Sequence, residues 1–343
     1  MTSHSFAEAA RCPACGARYE AAPSWTCSAT EAAQHFVLFE AYPEQHLRLA
    51  AHVRTLWGQD RCAMLPCGAC GLRFAWPFVA GDELFYNLAY PHSAYPRERW
   101  EFDESLRSLA ASGDLQGHVL EIGAGFGHFL EKLSPRWVAP ERVVAVEYNE
   151  VARRSLASKG FAAVSEDVRG PAFDQWRGKV GAFFMFQVLE HMDDLSGLAE
   201  RLRELARPKA ALFVAVPNSA RIEFNERHRS LLDMPPNHIT CWTPEALTAF
   251  SERSGWALKE FRRQPMTLVS FLRQDIVYSH LRRAQRAGSL ANRVRAMQRS
   301  SLRSGLEAVT ALCAVPLRLT AWRDAVAARG TLGDSVWMRF EFE

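Results

Sequence analysis

The sequence predicts an α/β fold: a doubly wound, mostly parallel sheet with helices packed on both faces. Three observations lead there. From residue 118 to about 265, short apolar runs alternate with amphipathic segments, the pattern of parallel strands wound with helices. The first run meets a glycine-rich turn, "EIGAGFG", that opens a helical pattern; strand, tight turn and helix form the context in which such a turn carries meaning. The chain ends in "DSVWMRFEFE", whose alternation of apolar and polar residues reads as a further strand.

Candidate strands span 118–122, 142–147, 161–165, 181–186, 210–216 and 257–263, and the terminal run makes seven. Four regions follow. Residues 1–80 hold most of the cysteines and a helical stretch from Glu31 to Trp57. Residues 81–117 form an aromatic connector leading into a helix around Asp103 to Ala111. Residues 118–265 form the α/β core, and 266–343 an Arg-rich helical insertion before the last strand.

Composition sets the outer bounds. The 343 residues are 48% apolar and 23% charged, ordinary for a globular protein. A net charge of +3 is too near balance to favour a nucleic-acid partner. The start, "MTSHSFAEAARCPAC", lacks the basic and apolar halves of a signal peptide. No run reaches the ~18 uncharged apolar residues of a membrane span. The expectation is a cytoplasmic protein.

The turn runs Gly123-Ala124-Gly125-Phe126-Gly127 and places His128 at the sixth position. A dinucleotide turn wants G-x-G-x-x-G; here the third glycine comes one residue early. A helix N-terminus behind the turn still offers backbone N–H groups and partial positive charge. Glu121, before the first glycine, would repel a pyrophosphate and suits a ligand carrying a cation. Twenty residues past Gly127, "RVVAVE" ends in Glu147, placed to accept from both hydroxyls of a ribose. "FAAVSEDV" then puts Asp167 just after the third strand, within reach of an adenine amino group.

In this order these segments resemble the class I S-adenosylmethionine-dependent methyltransferases, over residues 118–265. "VLEIGAGFG" is similar to the family's first motif, "VVAVEYN" to its ribose acid, "SEDV" to its adenine contact and "GAFFMFQVLEHMDD" to its fourth-strand motif. "LRELARPKAALFVAVPN" resembles the helix and fifth strand, with Lys209-Ala210 where the family usually has two glycines. "PPNHITCWTPEALTAFSERSGW" resembles the stretch between strands five and six. The resemblance implies a Rossmann-like seven-stranded sheet and S-adenosylmethionine as cofactor. It assigns cofactor contacts to Glu121, Gly123, Ala124, Gly125, Gly127, Glu147, Tyr148, Asp167, Val168 and Gln187, with Gln187 beside the methionine part.

Removal of an acceptor proton suits a histidine, whose pKa lies near neutrality. His191 in "LEHM" and His238 in "PPNHITCW" fall at the ligand-binding edge of the family template and are the candidate catalytic residues. The connector adds Tyr86, Tyr90, Tyr95, Arg97, Arg99 and Trp100, which either wall the acceptor pocket as a lid or pack two modules together.

Six of the eight cysteines precede residue 71. Cys12-Pro-Ala-Cys15-Gly and Cys67-Gly-Ala-Cys70-Gly are two knuckles whose four thiolates suit a closed tetrahedral zinc site. They resemble a zinc ribbon, of the kind that precedes the catalytic domain in some bacterial sugar and secondary-metabolite methyltransferases. Fifty-one residues separate Cys15 from Cys67, so a helical insertion must sit inside it and Cys27 and Cys62 are rival ligands. From Arg273 to Arg329 there are eleven arginines, no lysines and three acids. That insertion can cover the active site, form a homodimer or lie on an anionic membrane.

The expected function is methyl transfer to a small molecule such as a sugar, a glycan or a natural-product intermediate. The alternatives are an RNA methyltransferase, against which the absence of an Asn/Asp-Pro-Pro-Tyr type motif speaks, and a non-catalytic cofactor-binding protein.

Overall fold

The computed structural model describes residues 11–19, 21–89, 96–113, 115–228, 235–298, 300–313 and 315–343. In chain order its elements are β1 (Trp25–Ser28), α1 (Ala29–Phe36), α2 (Pro43–Trp57), β2 (Arg61–Pro66), β3 (Arg73–Trp76), α3 (Glu83–Ala89) and α4 (Trp100–Ser112). There follow β4 (His118–Ile122), α5 (His128–Trp137), β5 (Val143–Val146), α6 (Glu150–Ser158), β6 (Ala162–Val164), β7 (Val180–Phe186), α7 (Leu195–Leu205), β8 (Ala206–Pro217) and α8 (Ser219–Arg227). The last are β9 (Thr240–Cys241), α9 (Pro244–Arg253), β10 (Trp256–Arg263), α10 (Leu268–Ala284), α11 (Leu290–Ala296), α12 (Ser301–Leu312), α13 (Leu319–Ala327) and β11 (Ser335–Phe342).

Seven strands form the expected sheet in the order β10-β11-β8-β7-β4-β5-β6. Strands β4 to β8 run parallel, and β11 inserts antiparallel between β8 and β10. Apolar residues at successive positions build its centre: β5 reads Val-Val-Ala-Val and β7 Val-Gly-Ala-Phe-Phe-Met-Phe, buried throughout. Each strand deals its side chains alternately to two cores. Leu120, Val144, Phe183, Met185 and Val214 pack on one face with α7 and α9. Val119, Ala145, Phe184, Phe186 and Phe213 pack on the other with α4, α5 and α6. Full burial of each phenylalanine contributes about 1.5–3 kcal/mol. On α7, Leu195, Leu198, Leu202 and Leu205 are buried, the helical spacing of a core-facing stripe.

A second, antiparallel sheet, β1-β2-β3-β9, was not legible in the sequence. Its last member is two residues long and comes from the core, after strand five of the large sheet. The N-terminal segment is therefore stitched to the core through a shared sheet. The helical stretch expected over 31–57 is two helices, because Pro43 lacks an N–H and stands at the start of α2. A Ser28/Glu31 capping box starts α1. β8 begins four residues earlier than expected and holds an irregularity: Val180 faces Ala206 but Ala182 faces Ala211. Lys209 lies within this bulge at φ 61°, where the family's glycine would be free of strain.

The Arg-rich insertion forms α10–α13 between β10 and β11, around Phe224, Phe271, Ala321, Ala325 and Leu332. All three of its acids are paired: Asp275 with Arg318, Glu307 with Arg303 and Arg295, and Asp324 with Arg323. Among the described residues no helix is long and apolar enough to cross a membrane.

Candidate functional site

Parallel strands deliver their carboxyl ends to one edge of the sheet, where open α/β folds bind ligands. That edge gathers the Gly123–Gly127 turn after β4, Glu147 after β5 and Gln187 after β7. The turn is sterically specified. Gly123 has φ 75°, and a Cβ there would stand 2.4 Å from Cγ2 of Val188; Gly127 has φ 79°, and a Cβ would stand 2.6 Å from Leu156. Ala124, buried in the turn, donates its N–H to the carbonyl of Val146.

Glu147 holds the turn. Its buried carboxylate accepts the Gly125 N–H at 2.8 Å and the Asn149 N–H at 2.8 Å. Burial pushes its pKa up, and the backbone N–H groups only partly reverse this. A carboxylate has about four lone-pair directions, so both oxygens retain capacity for a ligand's hydroxyls. Glu121 is fully buried and its Oε2 has no partner among the described residues. Burial, reinforced by the charge of Glu147, raises its pKa well above the usual carboxylate range.

The residues expected to contact an adenine, Tyr148, Asp167 and Val168, have partners within the protein. Asp167 receives the fork of Arg169, with Nε to Oδ1 at 2.8 Å and Nη2 to Oδ2 at 2.6 Å, as well as the Arg169 N–H and the Tyr148 hydroxyl. Burial opposes its ionisation, but the pairing with Arg169 keeps its pKa low. Tyr148 is exposed, while Val168 buries its side chain in the core and gives its carbonyl to Arg201.

Gln187 occupies φ 57°, a left-handed position for a non-glycine residue, as functional sites sometimes store. Its side chain donates to Ser335 Oγ at 2.9 Å and to the buried Glu101 at 3.3 Å. Glu101 also pairs with Arg99. The sequence did not single out Glu101 or Ser335, because they lie 86 and 148 residues from Gln187 and nothing local marks them.

The two histidines do come together. His191 closes a 3-10 turn over Leu189–His191, His238 stands on the loop before β9, and their ring centroids are 4.5 Å apart at 83°. The loops are joined by the Ile239 N–H to the Glu190 carbonyl at 2.9 Å. His191 Nδ1 lies 2.7 Å from the carbonyl of Asn237, which makes Nδ1 the protonated nitrogen of the neutral ring and Nε2 the unprotonated one. The Tyr86 hydroxyl stands 3.2 Å from the same Nδ1, and a Glu190 carboxylate oxygen lies 3.9 Å from Nε2. Burial pushes His238 down to about 3, aided by His35. The donor atoms of Glu190, His191 and His238 all lie within 4.8 Å of one another, close enough to share a cation. Tyr86 on α3 thus reaches the histidines; Arg97 is exposed, Trp100 packs against the core with α4, and Tyr90 and Tyr95 lie outside the described residues.

The cysteine cluster closes as expected of the paired knuckles. Sγ of Cys12 is 3.6 Å from Cys70, Sγ of Cys15 is 3.6 Å from Cys67, and all four sulfurs lie within 4.8 Å of one another. Tetrahedral Zn–S bonds of about 2.3 Å place sulfurs about 3.8 Å apart, so this donor set fits zinc. Gly16 and Gly71 close the knuckles at φ 77° and 75° and return their N–H groups to Cys12 and Cys67. Cys27 and Cys62 face each other across β1 and β2, in a different core from the four sulfurs. The knuckles sit on α9 through Thr243 to the Cys70 carbonyl and Arg253 to the Ala14 carbonyl.

Residues 96–260, from before α4 into β10, match a family model described as a methyltransferase domain. That match takes in the segment that builds the turn, Glu147 and the histidine pair. No curated protein shows significant similarity to the sequence. Among solved structures, the chain is similar to an S-adenosylmethionine-dependent methyltransferase from Archaeoglobus fulgidus, at 15% identity and TM-score 0.44, over 76% of this chain and 100% of that one. It is also similar to the N-methyltransferase NodS from Bradyrhizobium japonicum, solved with S-adenosylhomocysteine, at 13% identity and TM-score 0.41, over 74% and 91%. A third is the [4+2]-cyclase SpnF, at 12% identity and TM-score 0.42, over 92% and 97%.

Proposed function

We propose that this protein is an S-adenosylmethionine-dependent methyltransferase acting on a small-molecule acceptor of sugar, glycan or natural-product type. The observation that carries the reading is the Gly123–Gly127 turn clamped by the Glu147 carboxylate, at the sheet edge, within the segment that matches the methyltransferase-domain model. When bound, the cofactor supplies the electrophilic methyl carbon of its sulfonium. Glu147 accepts from the ribose hydroxyls, and the side-chain-free glycine backbone of the turn lines the path to the methionine part. Asp167 contacts the adenine amino group with lone pairs that Arg169 leaves unused, between Tyr148 and Val168. Gln187 and Glu121 face the methionine end, where Glu121 accepts from the ammonium.

On the acceptor side, His191 is the base. Its Nδ1–H is held by Asn237, so Nε2 receives the acceptor's proton, and the neighbouring Glu190 carboxylate stabilises the imidazolium that results. His238, kept neutral by burial, orients the acceptor rather than taking its proton. Cys12, Cys15, Cys67 and Cys70 would hold a structural zinc, which would tie the N-terminal segment to α9.

The test is a screen of acceptor pools with methyl-labelled cofactor, paired with calorimetry of S-adenosylhomocysteine. Label transfer to a sugar or natural-product intermediate supports the reading. Transfer to RNA, with a steep salt dependence of affinity, replaces it with an RNA methyltransferase. Homocysteine-product binding without turnover on any pool replaces it with a non-catalytic binding protein.

A further inference from the structure

A recess beside the proposed acceptor site is lined by Arg221, Gln264, Met266, Thr267, Ser270 and Asp334, among others. It lies where β8 meets β11: the Asn218 N–H bonds the Asp334 carbonyl, and the next residue, Ser335, receives Gln187. In the sheet order, β8 and β11 lie across β7 and β4 from β5 and its Glu147. The recess is therefore on the acceptor side of the edge, away from the ribose acid.

Its electrostatics are unbalanced. Arg221 is 3% exposed and stacks on Phe271 at 4.1 Å. Its Nη1 donates to the Leu332 carbonyl and its Nη2 to Gln274, but its Nε has no partner among the described residues. Its ion-pair partner, Asp334, stands at the long distance of 3.8 Å from Nη2, is 41% exposed, and accepts from Gln274 with its other oxygen. A buried guanidinium held by one long ion pair is costly, and burial lowers the pKa of this one against the opposing charge of Asp334. The N-terminus of the 17-residue α10 opens onto the same recess, with no acid in its first turn and no side-chain cap from Thr267. The first helical bond is Phe271 N–H to the Thr267 carbonyl, so the preceding N–H groups have no helical partner. A buried cation and an uncapped helix N-terminus converge on one space.

We infer that this recess binds an oxyanion carried by the methyl acceptor, a carboxylate or a phosphate, between Arg221 and the first turn of α10. The inference rests on the methyltransferase reading for the identity of the ligand, though not for the existence of the site. The arriving group displaces Asp334, the loosely held incumbent, from the guanidinium.

Equilibrium dialysis of the full chain with labelled inorganic phosphate and, separately, labelled acetate tests it. The wild type takes up one of these saturably, about one per chain, and the preferred probe names the acceptor's acidic group. Ser270→Asp keeps the helix, since an acid in the first turn is favoured by the dipole, yet it repels the anion and lowers affinity at least tenfold. Asp334→Asn removes the competitor and raises affinity severalfold; Arg221→Lys, which keeps the charge but not the fork, weakens it. Equal uptake by wild type and all three variants, or no saturable uptake of either probe, overturns the site. Calorimetry with S-adenosylhomocysteine separates the two readings. Homocysteine-product binding without anion uptake refutes the recess alone. Anion uptake without it refutes the methyltransferase reading and leaves an anion site of another purpose.

Discussion

Replacing Glu147 with glutamine removes the charge while keeping the shape, and the structure sets the size of the effect. The carboxylate now receives two backbone N–H groups, each at 2.8 Å. Hydrogen bonds to a charged partner are worth about 1.5–3 kcal/mol each. The amide of glutamine keeps one acceptor oxygen but turns its NH2 against the N–H of Gly125 or Asn149, so one such bond is lost outright. Against this stands relief of the buried charge, whose pKa burial has already raised. The stability loss therefore falls at the low end, about 1.5 kcal/mol. Ligand affinity has no such relief, because the ribose hydroxyls meet an amide in place of an anion. A loss of about 2–3 kcal/mol corresponds to a roughly 30- to 150-fold rise in Kd for S-adenosylhomocysteine. Isothermal titration calorimetry reads the affinity and chemical denaturation the stability. A Kd within threefold of the wild type refutes the ribose assignment, and unchanged stability refutes the clamp on the turn.

Four further outcomes are expected. Lys209→Gly relieves a left-handed backbone at φ 61° and raises stability by about 1 kcal/mol, seen as a higher Tm; a lower Tm contradicts the strain. Glu121 has a raised folded pKa, so wild-type stability falls as pH rises from the unfolded value through the folded one, and Glu121→Gln flattens that fall in pH-resolved melts. His238 is held near 3 against 6.5, so stability drops as pH falls below 6.5 and His238→Gln removes this loss, whereas His191→Ala abolishes turnover and His238→Gln leaves the shape of its pH profile intact. Metal analysis gives about one zinc per chain, lost with Cys67→Ser together with a lower Tm; a metal-free wild type with an unchanged Tm rules the zinc site out.

The large sheet was legible because its strands are local signals. Runs such as "VVAVE" and "GAFFMF" are buried on both faces, and burial on both faces demands continuous apolarity. The glycine turn was legible for a related reason: a Cβ at Gly123 would strike Val188, so the backbone there admits one residue type. The paired cysteine knuckles carry their geometry in their spacing, and the sulfurs meet as that spacing implies. The sequence was silent where partners are far apart. β9 is too short to show a period, and its place beside β3 depends on a chain separation of more than 160 residues. Gln187 likewise finds Glu101 and Ser335 at 86 and 148 residues' distance along the chain.

Residue type and spacing by themselves determined the α/β class, the strands of the large sheet, the glycine turn and the two cysteine knuckles, since each follows from backbone sterics and burial within one segment. Only the tertiary structure decided what those segments face. It set His191 against Asn237, which selects the basic nitrogen, and left Arg221 buried beside the open start of α10. Such charge balances are properties of a space enclosed by distant segments, and no stretch of sequence contains that space.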